Sequence, residues 1–250
     1  MAQGNMRANI PDMVPDYNFW NYTDCMDTVP GGTGAAIYDS VLQNTAVGFT
    51  LLNKQGGQWK GDCGNSSSAA NDSAAFFTKA KCFEFANGYS GEARLRITQA
   101  EANTNKAMMF IGFSSVVTSG LIVDTTGLPI ATFDGFGLYK PNNQLFWSVI
   151  NSVSTTQNRK DSAGTAVQAA ALSASAQFID ISYKCISSTK VYATFAINGY
   201  PLLDASGNML NTVWTYTGST AMSFIYACKQ GSTTRESYII HKVSIGGVET

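Results

Sequence analysis

At 250 residues, with 13% charged side chains and a formal charge of −1, the chain carries about half of the ~25% charge usual in soluble domains. That balance supplies no long-range field for phosphate backbones or anionic lipid, so nucleic acid and membrane surfaces are poor partners. No stretch reaches the ~20 apolar residues of a bilayer span, and the Met1–Arg7 segment lacks the basic-then-apolar order of a secretory signal, so the chain is expected to be intracellular when made.

Residues 1–35 stand apart from the rest. Pro11, Pro15 and Pro30, with Gly31, Gly32 and Gly34, interrupt any regular period, yet Tyr17, Phe19, Trp20 and Tyr22 crowd together between them. Disordered tails are poor in aromatics. The segment therefore reads as an extended N-terminal arm that docks, either on its own domain or on a neighbouring subunit, with those aromatics as candidate partner-binding residues.

Residues 36–250 read as one β-sandwich domain. Short strands separated by Gly, Ser and Asn turns are expected at Ala46–Leu52, Ala75–Phe85, Ala93–Thr98, Ala107–Val116, Gly120–Val123, Phe133–Tyr139, Leu145–Asn151, Thr165–Ala169, Phe178–Cys185, Val191–Ile197, Ala221–Lys229 and Tyr238–Ile245. The pattern is sharpest late in the chain. Ile179, Ile181 and Tyr183 alternate with Asp180, Ser182 and Lys184, and Val191, Ala193, Phe195 and Ile197 repeat the period before the turn-forming Asn198 and Gly199. A run of strands without alternating helices argues for antiparallel sheets packed face to face. In the alanine-rich stretch Val167–Ala176, a helical turn is the alternative to extended chain.

Side chains for catalysis are sparse. His241 is the only histidine, so two-histidine metal sites are excluded, and its place between Ile239 and Val243 fits a hydrogen-bonded structural role. Glu84, Glu92, Glu101, Glu236 and Glu249 are isolated, as are Asp124, Asp134, Asp161 and Asp180; none makes the paired carboxylates of glycoside hydrolysis or an alternating-acid calcium loop. These absences lead to the expectation that the chain is no enzyme, with no catalytic residues, no metal and no cofactor. Cys25, Cys63, Cys82, Cys185 and Cys228 are scattered and odd in number, which favours reduced thiols over a disulfide framework. Tyr139 and Trp147 flank the turn-like Lys140–Gln144, where they could pack across two strands or, alternatively, stack on a sugar ring. Arg94 and Arg96 share one strand face, either solvated or in reach of another subunit's carboxylates.

The succession Met109–Ser114, Asp134–Tyr139, Leu145–Val149, Phe178–Tyr183, Lys190–Gly199, Ser223–Lys229 and Tyr238–Ile245 resembles the concanavalin A-like lectin/glucanase sandwich as it recurs in structural proteins of tailed bacteriophages. The resemblance spans about residues 75–247. It implies an all-β fold, a jelly-roll sandwich of two antiparallel sheets, here with the N-terminal arm. The acidic trio of glucanase members and the metal-binding acids of legume lectins have no match, so no family site residue carries over.

With the resemblance, the expected function is a virion structural protein, a bacteriophage capsid decoration or cement protein. It would sit on the capsid surface after assembly in the host cytoplasm and bind the major capsid protein and neighbouring copies of itself through its sandwich and arm. The alternative is a lectin-like carbohydrate-binding module of a head fibre or tail accessory protein, with glycan at Tyr139 and Trp147.

Overall fold

The computed structural model describes residues 19–23, 38–43, 48–52, 58–63, 71–79, 81, 83–85, 88–99, 106–124, 126–144, 146–161, 176–216, 221–233 and 236–249. Among them, strands numbered along the chain form two antiparallel sheets. The first sheet contains β1 (Phe19–Thr23), β3 (Gly48–Leu52), β4 (Gln58–Asp62), β7 (Tyr89–Gln99), β12 (Gln177–Ser187), β13 (Lys190–Ile197), β14 (Tyr200–Pro201), β15 (Asn211–Thr215) and β17 (Ser237–Glu249). Its order is β14-β13-β12-β7-β17-β4-β3, with β15 on β13 and β1 on β17. The second contains β2 (Tyr38–Gln43), β5 (Ser73–Thr78), β6 (Phe83–Glu84), β8 (Ala107–Ser114), β9 (Gly135–Lys140), β10 (Ser148–Val153), β11 (Thr156–Asp161) and β16 (Ala221–Gln230), in the order β11-β10-β9-β8-β16-β5-β2 with β6 on β16. The expected two-sheet jelly-roll sandwich is the observed architecture.

Alternation builds the core between the sheets. Ile179, Ile181, Val191, Phe195, Ile197 and Ile245 are all buried there, and so is Trp147. Asn198 and Gly199 take positive φ after β13, as the turn to β14 requires. Aromatic edges fill the centre: Phe113 lies edge-on to Phe83, Phe85, Tyr183 and Phe224. Tyr238 crosses from the first sheet to the second, donating from its hydroxyl to the Ala74 carbonyl at 2.9 Å. It can do so because neighbouring β4 carries Gly61, where a Cβ would fall 2.4 Å from the tyrosine ring.

Strands β8 and β9 of the second sheet are buried on both faces. Residues 115–124 and 126–134 follow β8 and lie over its outer side, where Leu121, Ile122 and Phe133 pack on Phe110, Tyr139, Ile150 and Ile225 as a second core. This cover is pinned at both margins. The buried Lys229 ammonium donates to the Ile122 carbonyl at 2.7 Å and pairs with Asp124, while the Gln157 amide donates to the Pro129 and Ile130 carbonyls at 3.2 and 2.8 Å.

Several sequence expectations change here. Gly120–Val123 is not a strand: Ser119–Leu121 is a 3₁₀ turn capped by Thr118, and Ile122 makes an isolated bridge to Pro129. Its apolar residues serve the cover, where burial needs no sheet period. Ala75–Phe85 divides into β5 and β6. Strand β11, absent from the sequence reading, pairs with β10 through a turn with Ser154 at positive φ. Thr165–Ala169, and Val167–Ala176 up to residue 175, lie outside the described residues, as do Cys25 and Cys82. Cys63, Cys185 and Cys228 are free thiols.

Of residues 1–35, only 19–23 are described. They form β1 on the chain's own last strand, in the register Phe19↔Gly247, Trp20↔Gly246, Asn21↔Ile245, Tyr22↔Ser244 and Thr23↔Val243. Tyr17 lies outside the described residues.

Candidate functional site

A pocket of about 300 Å³ opens at the β9–β10–β11 end of the second sheet's outer face, lined by Leu128, Tyr139, Pro141, Gln144, Phe146, Ser148, Arg159 and Asp161. Register explains the assembly. Tyr139 on β9 is opposite Ser148 on β10, which is opposite Asp161 on β11, so the three side chains form one row across the sheet. Arg159, two residues before Asp161, shares its face. Leu128 reaches the pocket from the cover, and Pro141, Gln144 and Phe146 come from the β9–β10 connection.

The polar groups in this row are linked by hydrogen bonds. The Ser148 hydroxyl donates to the Asp161 carboxylate at 2.9 Å. Burial pushes the Tyr139 phenol up and the Asp161 charge adds to that, against hydrogen bonds with Ser148 and Arg159. Tyr139 is therefore a protonated, neutral phenol at ordinary pH. The ion pairs among the described residues are Lys60–Asp62, Arg94–Asp180 and Lys229–Asp124; Arg159 and Asp161 are exposed and do not pair with each other. The pocket thus offers a carboxylate acceptor, a guanidinium donor, an amide and a phenol, beside the apolar surfaces of Leu128, Pro141 and Phe146.

Tyr139 and Trp147 are not brought together. Trp147 points the other way, into the core between the sheets, with no exposed surface. The expectation that it could stack on a sugar is corrected: a ring with no accessible face has nothing to stack with. Tyr139 is 3% exposed, so its ring belongs to the second core and its hydroxyl end to the pocket rim. Arg159, Asp161, Ser148, Gln144 and Phe146 were not singled out as a group, because β11 has no apolar row to mark it as a strand. His241 has the structural role expected of it, with Nε2 2.8 Å from the Thr98 hydroxyl and Nδ1 2.9 Å from the Gln58 amide. Arg94 and Arg96 lie on the outer face of the first sheet, both against the Phe178 ring at 5.7 and 5.6 Å. Asp180 pairs with Arg94 and, by that hydrogen bond, raises its pKa. Among the described residues no three His, Cys, Asp or Glu side chains gather as metal ligands.

No family model matches the sequence, and no curated protein matches it. Solved structures do. The endo-1,3-β-glucanase of Streptomyces sioyaensis aligns with a TM-score of 0.57 at 8% identity, over 92% of this chain and 97% of its own. A legume lectin-like domain from Entamoeba histolytica gives 0.52 at 11% identity, over 83% and 88%, and an endo-β-1,4-glucuronan lyase from Trichoderma reesei gives 0.51 at 10%, over 92% and 95%. The fold is the concanavalin A-like lectin/glucanase sandwich. The inference from scattered carboxylates to a chain that is no enzyme is withdrawn, because a glucanase and a lyase are among the proteins built on this sandwich. Spacing along one sequence does not measure which acids meet in space.

Proposed function

We propose that this protein binds carbohydrate in the pocket at the β9–β10–β11 end, the lectin-like reading of the sandwich. The observation that carries it is the placing of Arg159 and Asp161 beside Tyr139 in a pocket of about 300 Å³, neither charge having an ion partner among the described residues. A sugar ring presents hydroxyls that both donate and accept, on a body with apolar C–H faces. A carboxylate accepts from such hydroxyls, and a guanidinium fork donates to them. Small pockets with a few convergent polar groups on apolar walls are the common form of ligand site.

The test is calorimetric titration of a panel of neutral, amino and acidic oligosaccharides against the wild type, Arg159→Ala and Asp161→Asn. Saturable binding by at least one sugar, weakened in both variants, is expected. Binding that both variants retain unchanged would place the ligand elsewhere, and no binding up to millimolar sugar would remove the reading. The capsid-decoration reading, with the major capsid protein as partner, rests on the resemblance alone; no described residue favours it over the glycan reading.

A further inference from the structure

Strand β17 is the longest among the described residues, and its two edges are covered differently. One edge lies against β7 along its length, from Tyr238↔Gln99 to Glu249↔Tyr89. The other is divided. Strand β4 pairs only Ser237–Ile240, and β1 pairs only Val243–Gly247. The chain shifts register between Ile240 and Lys242, with His241 between them. Val243, Ser244, Ile245, Gly246 and Gly247 are all buried. Without β1, their backbone groups on this edge would form an unpaired strand edge inside the sheet, a template for another strand.

Among the described residues β1 pairs with β17 and with no other strand. It is followed by residues 24–37 before β2, which belongs to the other sheet. Such a length reaches roughly 45 Å when extended, at ~3.3 Å per residue. That matches the diameter of about 40–50 Å expected for a compact domain of this size. A net charge of −1 does not hold copies apart.

We propose that the Val243–Gly247 edge of β17 is a strand-acceptor site that takes β1 from a second copy of this chain, so that crowded copies associate by exchanging their N-terminal strands. Exchange keeps every backbone bond of the seam and changes only which molecule supplies it. The balance is then set by local concentration. A short connection gives the chain's own strand an effective concentration of about millimolar, so exchange dominates only where copies are held together at comparable density.

The test uses the register pair Tyr22↔Ser244 in full-length chains whose Cys25 and Cys82 are replaced by serine. One preparation carries Tyr22→Cys, another Ser244→Cys, and a third carries both. The two single variants are mixed at about millimolar concentration, oxidised with glutathione disulfide and resolved under non-reducing conditions. A disulfide-linked heterodimer is expected, falling at least tenfold when the mixture is diluted a hundredfold before oxidation, together with intramolecular closure of the double variant in dilute solution. Closure of the double variant without heterodimer in the concentrated mixture would overturn exchange. Absence of both products would overturn the seam itself. Equal heterodimer from a mismatched mixture, Tyr22→Cys with Lys184→Cys, would show the product to be random and overturn the proposal as well.

Discussion

Arg159 and Asp161 sit on a strand whose six residues are all polar, and their value as ligands lies in the absence of an ion pair between them. Charge-assisted hydrogen bonds contribute about 1.5–3 kcal/mol each, so Arg159→Ala and Asp161→Asn should each weaken saccharide binding roughly tenfold or more. Any turnover of a bound sugar should be lost in Asp161→Asn, since Asp161 is the carboxylate in the lining; product analysis on the same panel reads this out. The pocket also shows what the sequence withheld. Tyr139 stood out because an aromatic beside a turn is conspicuous, whereas Arg159 and Asp161 belong to a strand with no apolar alternation and become neighbours of Tyr139 only through two successive registers. Lys140, next along β9, makes a separate point about charge. It is fully buried with its ammonium on the Ala107 carbonyl, and burial lowers its pKa to about 8. Because the folded pKa lies below the unfolded value of about 10.4, the unfolded chain holds more protons between them. Stability should therefore rise from pH 8 toward 10, by up to about 3 kcal/mol. Denaturant titrations at pH 7 and 9.5 should show this rise in the wild type, and Lys140→Met should flatten it.

Individual strands were legible wherever one row of side chains is apolar and the other polar. β12 and β13 follow the expected period through Ile179 to Ile197, and Phe195, 1% exposed, should cost about 3–5 kcal/mol when replaced by alanine; equilibrium unfolding checks this, and a loss under about 1 kcal/mol would mean that the strand's packing is not as described. The cover over 115–134 was not legible. Leu121, Ile122 and Phe133 are apolar for the same reason as strand residues, yet a segment packed on a finished sheet has no period of its own to display. Gly61 marks a third kind of element-level information, a small residue required by its neighbour's ring. Gly61→Ala should displace Tyr238 and cost at least as much as Tyr238→Phe, which removes one buried hydrogen bond worth about 1 kcal/mol; thermal melts of the two variants decide the order.

At the scale of the whole molecule, the two-sheet sandwich follows from the abundance of short strands and the near absence of helix signals, while the order of strands within each sheet does not. Nothing local in Phe19–Thr23 states that it pairs with Val243–Gly247. Deleting residues 1–35 should lower the melting temperature and increase self-association, both measurable by light scattering during a thermal ramp, because the seam along β17 is left open. The same strand has a consequence in time. β17 joins β7, β4 and β1, all of which precede it in the chain, so during synthesis the first sheet waits in two halves for its central member. Such long-range closure belongs to the slow end of folding, on the order of milliseconds to seconds. Until then a ribosome-bound chain carries β7 and β4 as open edges, at risk of pairing with another nascent copy before β17 arrives to separate them.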